Sequence, residues 1–191
     1  MRRRPFWVTL RVGKNDMKRT VGQVVIECVM GDITKQTGID AVVNAANARL
    51  LPGGGVAGAI HRVAGPELEE ECRPLAPIRP GQAVITRGYG LPNPYVIHCL
   101  GPVYGQDEPS DVLLAQCYRN ALRLADEHGL FSVAFPAICT GAFGYPLRSA
   151  AQVAARTLIE EAGALLTVRT LRFVLHDDGA LMVHAQALEE V

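Results

Sequence analysis

Two glycine-rich segments have the composition and spacing expected of a phosphate-binding site. Residues 53–58 read Gly-Gly-Gly-Val-Ala-Gly, and residues 141–144 read Gly-Ala-Phe-Gly. Glycine loses more backbone freedom on folding than any other residue, so three in a row are costly to order. A glycine-rich loop that opens a helix presents free backbone N–H groups, which bind anions. The segments therefore indicate either a phosphate cradle or two tight turns.

Three common phosphate-binding and catalytic patterns do not fit these segments. Gly53, Gly55 and Gly58 satisfy G-x-G-x-x-G, but "NARLLP" separates them from the preceding strand, whereas a dinucleotide fingerprint follows its strand directly. No Lys-Ser/Thr follows, as a Walker loop requires. Cys139 lacks the closely following arginine of a phosphatase loop and is interpreted as a packed thiol. Two opposed glycine loops at neighbouring strand ends favour a clamp on a diphosphate, made by backbone donors.

Polar side chains follow two of the predicted strands. Asn44 and Asn47 belong to "NAAN", at the end of the apolar run 40–46. An amide in such a place needs a hydrogen-bond partner, so one is expected to fix the loop and the other to face a sugar hydroxyl. Asp32, in "GDIT", either caps a short helix or recognises a ligand. Both roles of Asp32 stay open at this point.

The elements that must position these residues alternate between strands and helices. This pattern predicts an α/β sandwich with a largely parallel sheet, in which ligands bind at the carboxyl ends of the strands. The strands are predicted at 6–12, 23–30, 40–46, 82–88, 95–101, 131–138 and 170–177. The helices are predicted at 55–72 with a break at 65–66, 110–129, 147–163 and 178–190.

Composition excludes several classes of protein. Nineteen basic and nineteen acidic residues cancel, which argues against binding of long nucleic acid. The five cysteines form no C-x-x-C pair and the five histidines are scattered, which argues against a disulfide framework or a zinc site and favours reduced thiols in the cytoplasm. No apolar run has transmembrane length, and the basic start lacks the apolar core of a signal peptide.

Six motifs occur in an order that resembles the macrodomain family, most closely its MacroD-type branch. They are "GDIT", "NAAN", "GGGVAGAIHRVAG", "YVIHCLGPVYG", "FPAICTGAFGYP" and "FVLHDD". The resemblance covers roughly residues 22–190. It implies a single α/β/α sandwich over 22–191 with a mixed six- or seven-stranded sheet, preceded by an extension, 1–21, with a candidate edge strand. It also implies that ADP-ribose binds at the strand ends without a cofactor or a metal.

The resemblance assigns a role to each motif residue. Asp32 would accept the adenine amino group beside the Ile33 backbone, and His176 would stack on adenine more weakly than the usual aromatic ring. Asn47 would bind the distal ribose and help to hold the water for hydrolysis, while Asn44 would hold the loop. The residues expected at the distal ribose and the diphosphate are Gly54, Gly55, Val56, Thr140, Gly141, Ala142, Phe143, Gly144 and Tyr145.

One position departs from the family pattern. The MacroD-type hydrolases have aspartate where this sequence has Ala57. That carboxylate is thought to hold or activate a water, which a methyl group cannot do. The resemblance thus implies two alternatives. The first is slow hydrolysis of ADP-ribosyl esters on proteins or of O-acetyl-ADP-ribose. The second is a non-catalytic reader of ADP-ribose or of ADP-ribosylated proteins.

Overall fold

Strands from all parts of the described chain join a single sheet of eight strands. In a computed structural model, which describes the backbone of residues 8–12 and all of residues 17–191, the strand order is β1-β2-β3-β8-β7-β4-β6-β5. The strands are β1 (Val8–Val12), β2 (Met17–Val21), β3 (Val24–Met30), β4 (Ala41–Ala45), β5 (Ala83–Arg87), β6 (Tyr95–Cys99), β7 (Ser132–Phe135) and β8 (Thr170–Leu175).

Five adjacent strands, β3, β8, β7, β4 and β6, are parallel, and they form the centre of the sheet. The remaining contacts, β1 with β2, β2 with β3 and β5 with β6, are antiparallel. Short apolar runs such as Val42–Val43 suit the centre, because a strand covered on both faces needs apolar residues on both. Both valines are fully buried.

Helices cover the two faces of the sheet. They are α1 (Gly55–Ala64), α2 (Pro66–Cys72), α3 (Ser110–Glu127), α4 (Leu147–Ala162) and α5 (Asp178–Glu190), with short 3-10 helices at Ile33–Lys35 and Arg73–Leu75. One core packs α3, α4 and α5 against side chains such as Ile26, Val43 and Phe173. The second packs α1 and α2 against Val42 and Val174. The expected α/β/α sandwich is confirmed.

The sheet has eight strands, whereas six or seven were expected, because the first part of the chain adds strands to it. Residues 22–191 supply six strands, and β1 and β2 add two at one edge. The predicted strand at 6–12 overlaps β1, although residues 6 and 7 lie outside the described residues. Strand β2 was not predicted, because Lys18, Arg19 and Thr20 make it polar. Among the described residues no helix is both long and apolar enough to cross a membrane.

Candidate functional site

Four connections meet at the edge of the sheet formed by the carboxyl ends of its parallel strands. Asp32 follows β3, His176 follows β8, residues 136–146 follow β7, and Asn47 with residues 53–58 follows β4. Because these four strands are neighbours, their connections lie in the same order across the edge. Three spacings of about 4.8 Å separate the first strand from the last, about 14 Å in all. The edge can therefore accommodate an elongated ligand.

Asp32 lies at one end of this cleft and caps the first 3-10 helix. Its Oδ1 accepts hydrogen bonds from the Thr34 backbone N–H at 2.9 Å and from the Thr34 hydroxyl at 2.7 Å. These bonds, with a smaller contribution from Lys35, lower the pKa of Asp32. The cap role is therefore confirmed. The second oxygen of Asp32, Oδ2, lies 3.6 Å from Nζ of Lys35. Because the side chains of both residues are exposed, this oxygen remains accessible to a hydrogen-bond donor of a ligand.

His176 lies beside Asp32, because it follows β8 and Asp32 follows the neighbouring strand β3. Its side chain is 84 % exposed, and its Nε2 lies 3.0 Å from Oδ2 of Asp177. Asp177 is itself the N-cap of α5, since its other oxygen accepts the backbone N–H of Ala180 at 2.7 Å. The cap orients the carboxylate, and the carboxylate orients the imidazole. The ring has an open face on which a base could stack.

The other end of the cleft is lined by backbone. Helix α1 begins at Gly55, and its N-cap, Gly54, offers no side chain to the first turn. The N–H groups of a first turn have no partners within the helix, and the helix dipole adds positive potential there. A helix start of this kind can bind an anion without a charged side chain.

The glycines of the two loops serve different purposes. A Cβ on Gly58 would lie 2.2 Å from the carbonyl oxygen of Gly53, so packing requires that glycine. Gly55 and Gly144 have φ of 57° and 68°, a conformation that favours glycine. Gly54 has φ −82°, Gly141 lies outside the left-handed region, and a Cβ on either would meet nothing within 4 Å. The fold does not require glycine at Gly54 or Gly141, but a ligand lying against the backbone would.

The two asparagines have different partners from those expected. Asn47 holds the loop: its Nδ2 donates to the Leu51 carbonyl at 2.7 Å, and its Oδ1 accepts from the N–H groups of Arg49 and Leu51. Asn44 is fully buried, and its Nδ2 lies 3.1 Å from Nδ1 of His98. The prediction that Asn44 holds the loop is therefore wrong, because its amide is directed to a side chain on the neighbouring strand β6. One amide hydrogen of Asn47 stays available to a ligand.

Loop 140–145 is tied down from within. Tyr145 N–H donates to the Cys139 carbonyl at 3.0 Å, and Gly144 N–H closes a turn on Gly141 at 2.9 Å. Thr140 donates its hydroxyl to the Ala137 carbonyl. The ring of Phe143 packs against both hydrophobic cores. The loop thus holds exposed Gly141, Ala142 and Gly144 at the cleft with little freedom left to lose on binding.

Tyr104 belongs to the same wall and was not predicted. Its N–H donates to the Phe143 carbonyl at 2.9 Å, and its ring centroid lies 4.7 Å from that of Tyr145. Tyr104 is 47 % exposed, whereas Tyr145 is buried, and burial raises the pKa of Tyr145. The motif "GPVYG" was the available signal, but nothing local showed that its tyrosine reaches loop 140–145.

Cys139 is confirmed as a packed thiol. It is buried, and burial raises the pKa of its thiol far above the usual range. A Cβ on Gly101 would lie 2.0 Å from its sulfur, so the thiol fills the space next to that glycine. A thiol held neutral in this way is not a nucleophile.

One buried cluster has the residue types of a metal site. Ligand atoms of His61, Cys72 and His98 lie within 4.8 Å of one another. Both ring nitrogens of His98 are engaged, however, by Asn44 at 3.1 Å and by the Thr86 hydroxyl at 2.8 Å. His61 and Cys72 remain, and the Cys72 sulfur itself lies 3.7 Å from Nε2 of His98. The cluster therefore offers fewer than the three or four protein ligands of zinc sites. We assign no metal to the cluster, and the absence of a metal stays a prediction.

His98 itself is a core histidine, as the sequence indicated. It is completely buried, and burial lowers its pKa to about 3, so the ring is neutral. Its three partners come from β4, β5 and α2. The ring therefore joins two strands of the sheet to α2, the helix that follows α1.

Comparisons with known proteins agree with this geometry. A family model described as "Macro domain" matches residues 43–154. A macro domain-containing protein of Chlorobaculum tepidum is 48 % identical over 166 residues, covering 86 % of this chain and 96 % of its own. A solved Oceanobacillus iheyensis macrodomain with ADP has a TM-score of 0.87 at 39 % identity, covering 91 % and 95 % of the two chains. A Trypanosoma brucei macrodomain in complex with ADP-ribose has a TM-score of 0.76 at 39 % identity, covering 85 % and 68 %.

Proposed function

Because the chain belongs to the macro domain family, we propose that its cleft binds ADP-ribose, free or attached to protein. Adenine lies at Asp32 and His176, and the diphosphate and distal ribose lie against the two glycine loops. Gly54 and Gly141 carry this proposal, since a side chain would meet nothing there and yet neither residue has one. The Oceanobacillus iheyensis macrodomain with ADP and the Trypanosoma brucei macrodomain in complex with ADP-ribose support the same ligand.

Calorimetry tests the ligand assignment. We expect ADP-ribose to bind in the micromolar range, on the order of −8 kcal/mol. ADP is expected to bind more weakly, because it lacks the distal ribose that Asn47 and loop 53–58 contact. Absence of heat at ADP-ribose concentrations far above this range would remove the assignment.

We further propose slow ester hydrolysis at the same site. Water attacks the carbonyl carbon of the ester that joins ADP-ribose to a carboxylic side chain or to acetate. The bond from that carbon to the ribose oxygen breaks, and the oxygen takes up a proton from the water. The products are ADP-ribose and the free carboxylic acid. Ala57 supplies no base, so the free amide hydrogen of Asn47 and the substrate phosphate are left to hold the water. Losing a general base typically costs about 10²–10⁴-fold in rate.

A non-catalytic reader is the second candidate, and Ala57 is the observation that favours it. Release of ADP-ribose from a glutamate-modified protein separates the two candidates. The Gly54→Glu variant serves as a control that is expected not to bind. Release above the buffer rate that disappears in Gly54→Glu indicates an enzyme, and binding without release indicates a reader.

The cysteines support a reducing compartment for this function. All five are free and buried. Burial raises the pKa of Cys28 and of Cys117 to about 12, so neither thiol forms a reactive thiolate. We therefore propose a cytoplasmic site of action on ADP-ribosylated proteins or O-acetyl-ADP-ribose.

A further inference from the structure

A row of charged side chains crosses the face of the sheet that α1 and α2 also cover. Lys18, Glu27 and Arg172 are direct cross-strand partners on β2, β3 and β8. Lys18 Nζ lies 2.8 Å from one oxygen of Glu27, and Arg172 Nε lies 2.7 Å from the other. Opposite charges placed directly across neighbouring strands attract each other. The row thus forms a plus–minus–plus ladder.

Glu27 is charged in this ladder although it is 4 % exposed. Burial on its own raises the pKa of Glu27, but the hydrogen bonds and charges of Lys18 and Arg172 outweigh burial and lower it. A buried carboxylate paired on both sides fixes the direction of its partners, because leaving either oxygen unpaired is costly. The guanidinium of Arg172 therefore has a set orientation.

The ladder continues through Gln36 to the backbone of Asp32. Arg172 Nη1 donates to Gln36 Oε1 at 3.1 Å, and Gln36 Nε2 donates to the Asp32 carbonyl at 2.8 Å. Gln36 is 8 % exposed, and its own carbonyl accepts a hydrogen bond from buried Asn93. Both ends of the Gln36 amide are thereby satisfied inside the protein.

This connection does something that the local bonds of Asp32 do not. Thr34 and Lys35 fix the carboxylate within its own turn, and they would move together with that turn. The Gln36 amide ties the turn to a side chain anchored on the sheet. It acts together with the backbone bond from Gly31 N–H to the Leu175 carbonyl.

We propose that Gln36, anchored by Arg172, is a positioning residue that sets the base selectivity of the ligand site. The proposal rests on the proposed function, since it takes Asp32 as the residue that recognises adenine. Gln36 is nearly buried and both ends of its side-chain amide are bonded within the protein, so it acts through Asp32. It holds the turn so that the exposed oxygen of Asp32 meets the amino group of the base.

Gln36→Glu tests this with little change in volume. The carboxylate keeps an acceptor for Arg172 but loses the N–H that holds the Asp32 carbonyl. We expect the Kd for ADP-ribose to rise about 3- to 10-fold, the effect of one hydrogen bond. Preference for ADP over UDP, which differ in the base, is expected to fall by a similar factor. Arg119→Met is the matched control, because it removes an exposed arginine paired with Glu160 and Glu161 on the helices of the opposite face.

A double-mutant cycle separates positioning from general stability. In an Asp32→Asn background Gln36→Glu is expected to change the Kd less than about 2-fold, because residues that act through one another are not additive. Equal effects in both backgrounds, or an unchanged ADP-to-UDP ratio in Gln36→Glu, overturn the proposal. If Gln36→Glu does not fold, Gln36→Leu, which removes both the bond to Asp32 and the bond from Arg172, is measured in the same two backgrounds. Failure of the unmodified protein to bind ADP-ribose contradicts the proposed function instead.

Discussion

The two ends of the cleft present their ligand-facing groups by different means. At the end where we propose that adenine binds, called the adenine end, the side chains of Asp32 and His176 project from turns that further side chains hold. At the end where we propose that the diphosphate binds, called the diphosphate end, the cleft is lined by the glycines of loops 53–58 and 141–144, so the backbone itself is exposed. A base is distinguished by its hydrogen-bonding edge, which side chains read. A diphosphate needs close approach and many donors, which N–H groups without a Cβ provide. Substitutions should therefore have different effects at the two ends.

The largest effect on ligand affinity is expected from adding a side chain at the diphosphate end of the cleft, where the backbone is exposed. Gly54→Glu places a carboxylate where the diphosphate is expected, and like charges brought together cost several kcal/mol. We expect ADP-ribose affinity to fall on the order of 10²–10³-fold by calorimetry. The free energy of unfolding should change by less than about 0.5 kcal/mol, because the added side chain meets open space and φ is unstrained. Ala164→Glu, at an exposed position beyond α4, is the control.

A smaller gain is expected from giving the same end a base. Ala57→Asp should raise hydrolysis of glutamate-linked ADP-ribose by about 10²-fold in single-turnover assays at saturating substrate. Ala57 is 5 % exposed, so burial should raise the pKa of the new carboxyl above about 4. The rate should therefore rise with pH through that raised pKa. A variant no faster than the unmodified protein would mean that the missing carboxylate does not limit the reaction.

At the adenine end the two roles of Asp32 can be separated. The Asp32→Asn variant still caps the 3-10 helix, because asparagine is as good an N-cap as aspartate, but it offers adenine a neutral amide. ADP-ribose binding should weaken by about 1–3 kcal/mol with little change in melting temperature. Asp32→Ala should lose both affinity and stability. Equal affinity in the Asp32→Asn variant and the unmodified protein would leave Asp32 as a cap alone.

The pH dependence of Asp32 follows from the same bonds. The pKa of its carboxyl is lowered in the folded protein, so its stabilising contribution is fully present above the unfolded value of about 3.9. That contribution is lost only as the pH falls through the lower folded value. We therefore expect the ADP-ribose affinity of a His176→Phe variant, which removes the imidazole from the site, to stay flat from pH 8 to pH 5, as measured by calorimetry. A decline centred above pH 5 would contradict the charged state of Asp32.

The smallest effect is expected at His176. His176→Phe provides a larger apolar face for stacking and should tighten ADP-ribose binding by about 0.5–1 kcal/mol. Asp177 keeps its bond to the Ala180 N–H, so α5 should stay capped. Calorimetry at one fixed pH measures the change. A loss of affinity would show that the pair formed by His176 and Asp177 contributes more than the ring face.

Local signals in the sequence were enough to find the loops, because glycine runs and an aspartate after a strand are visible without the fold. The roles of Asn44 and Asn47 could not be assigned in the same way. The partner of Asn44 is His98, fifty-four residues away, and only the pairing of β4 with β6 brings them together. The ion pair between Glu27 and Arg172 spans 145 residues. The polar strand β2 could not be predicted for a related reason. Its Lys18 is stabilised by Glu27 on the next strand, a contact that only the folded sheet creates.

Backbone amide NMR during an ADP-ribose titration tests the central claim most directly, because it reports on both ends of the cleft at once. The N–H signals of Ile33, Gly54 and Gly141 should shift together and saturate with one Kd, while that of Leu166, at the opposite edge of the sheet, stays unchanged. AMP should move Ile33 strongly and Gly54 little. Saturation of binding without a shift at Gly54 and Gly141 would contradict the placement of the diphosphate and distal ribose against the glycine loops.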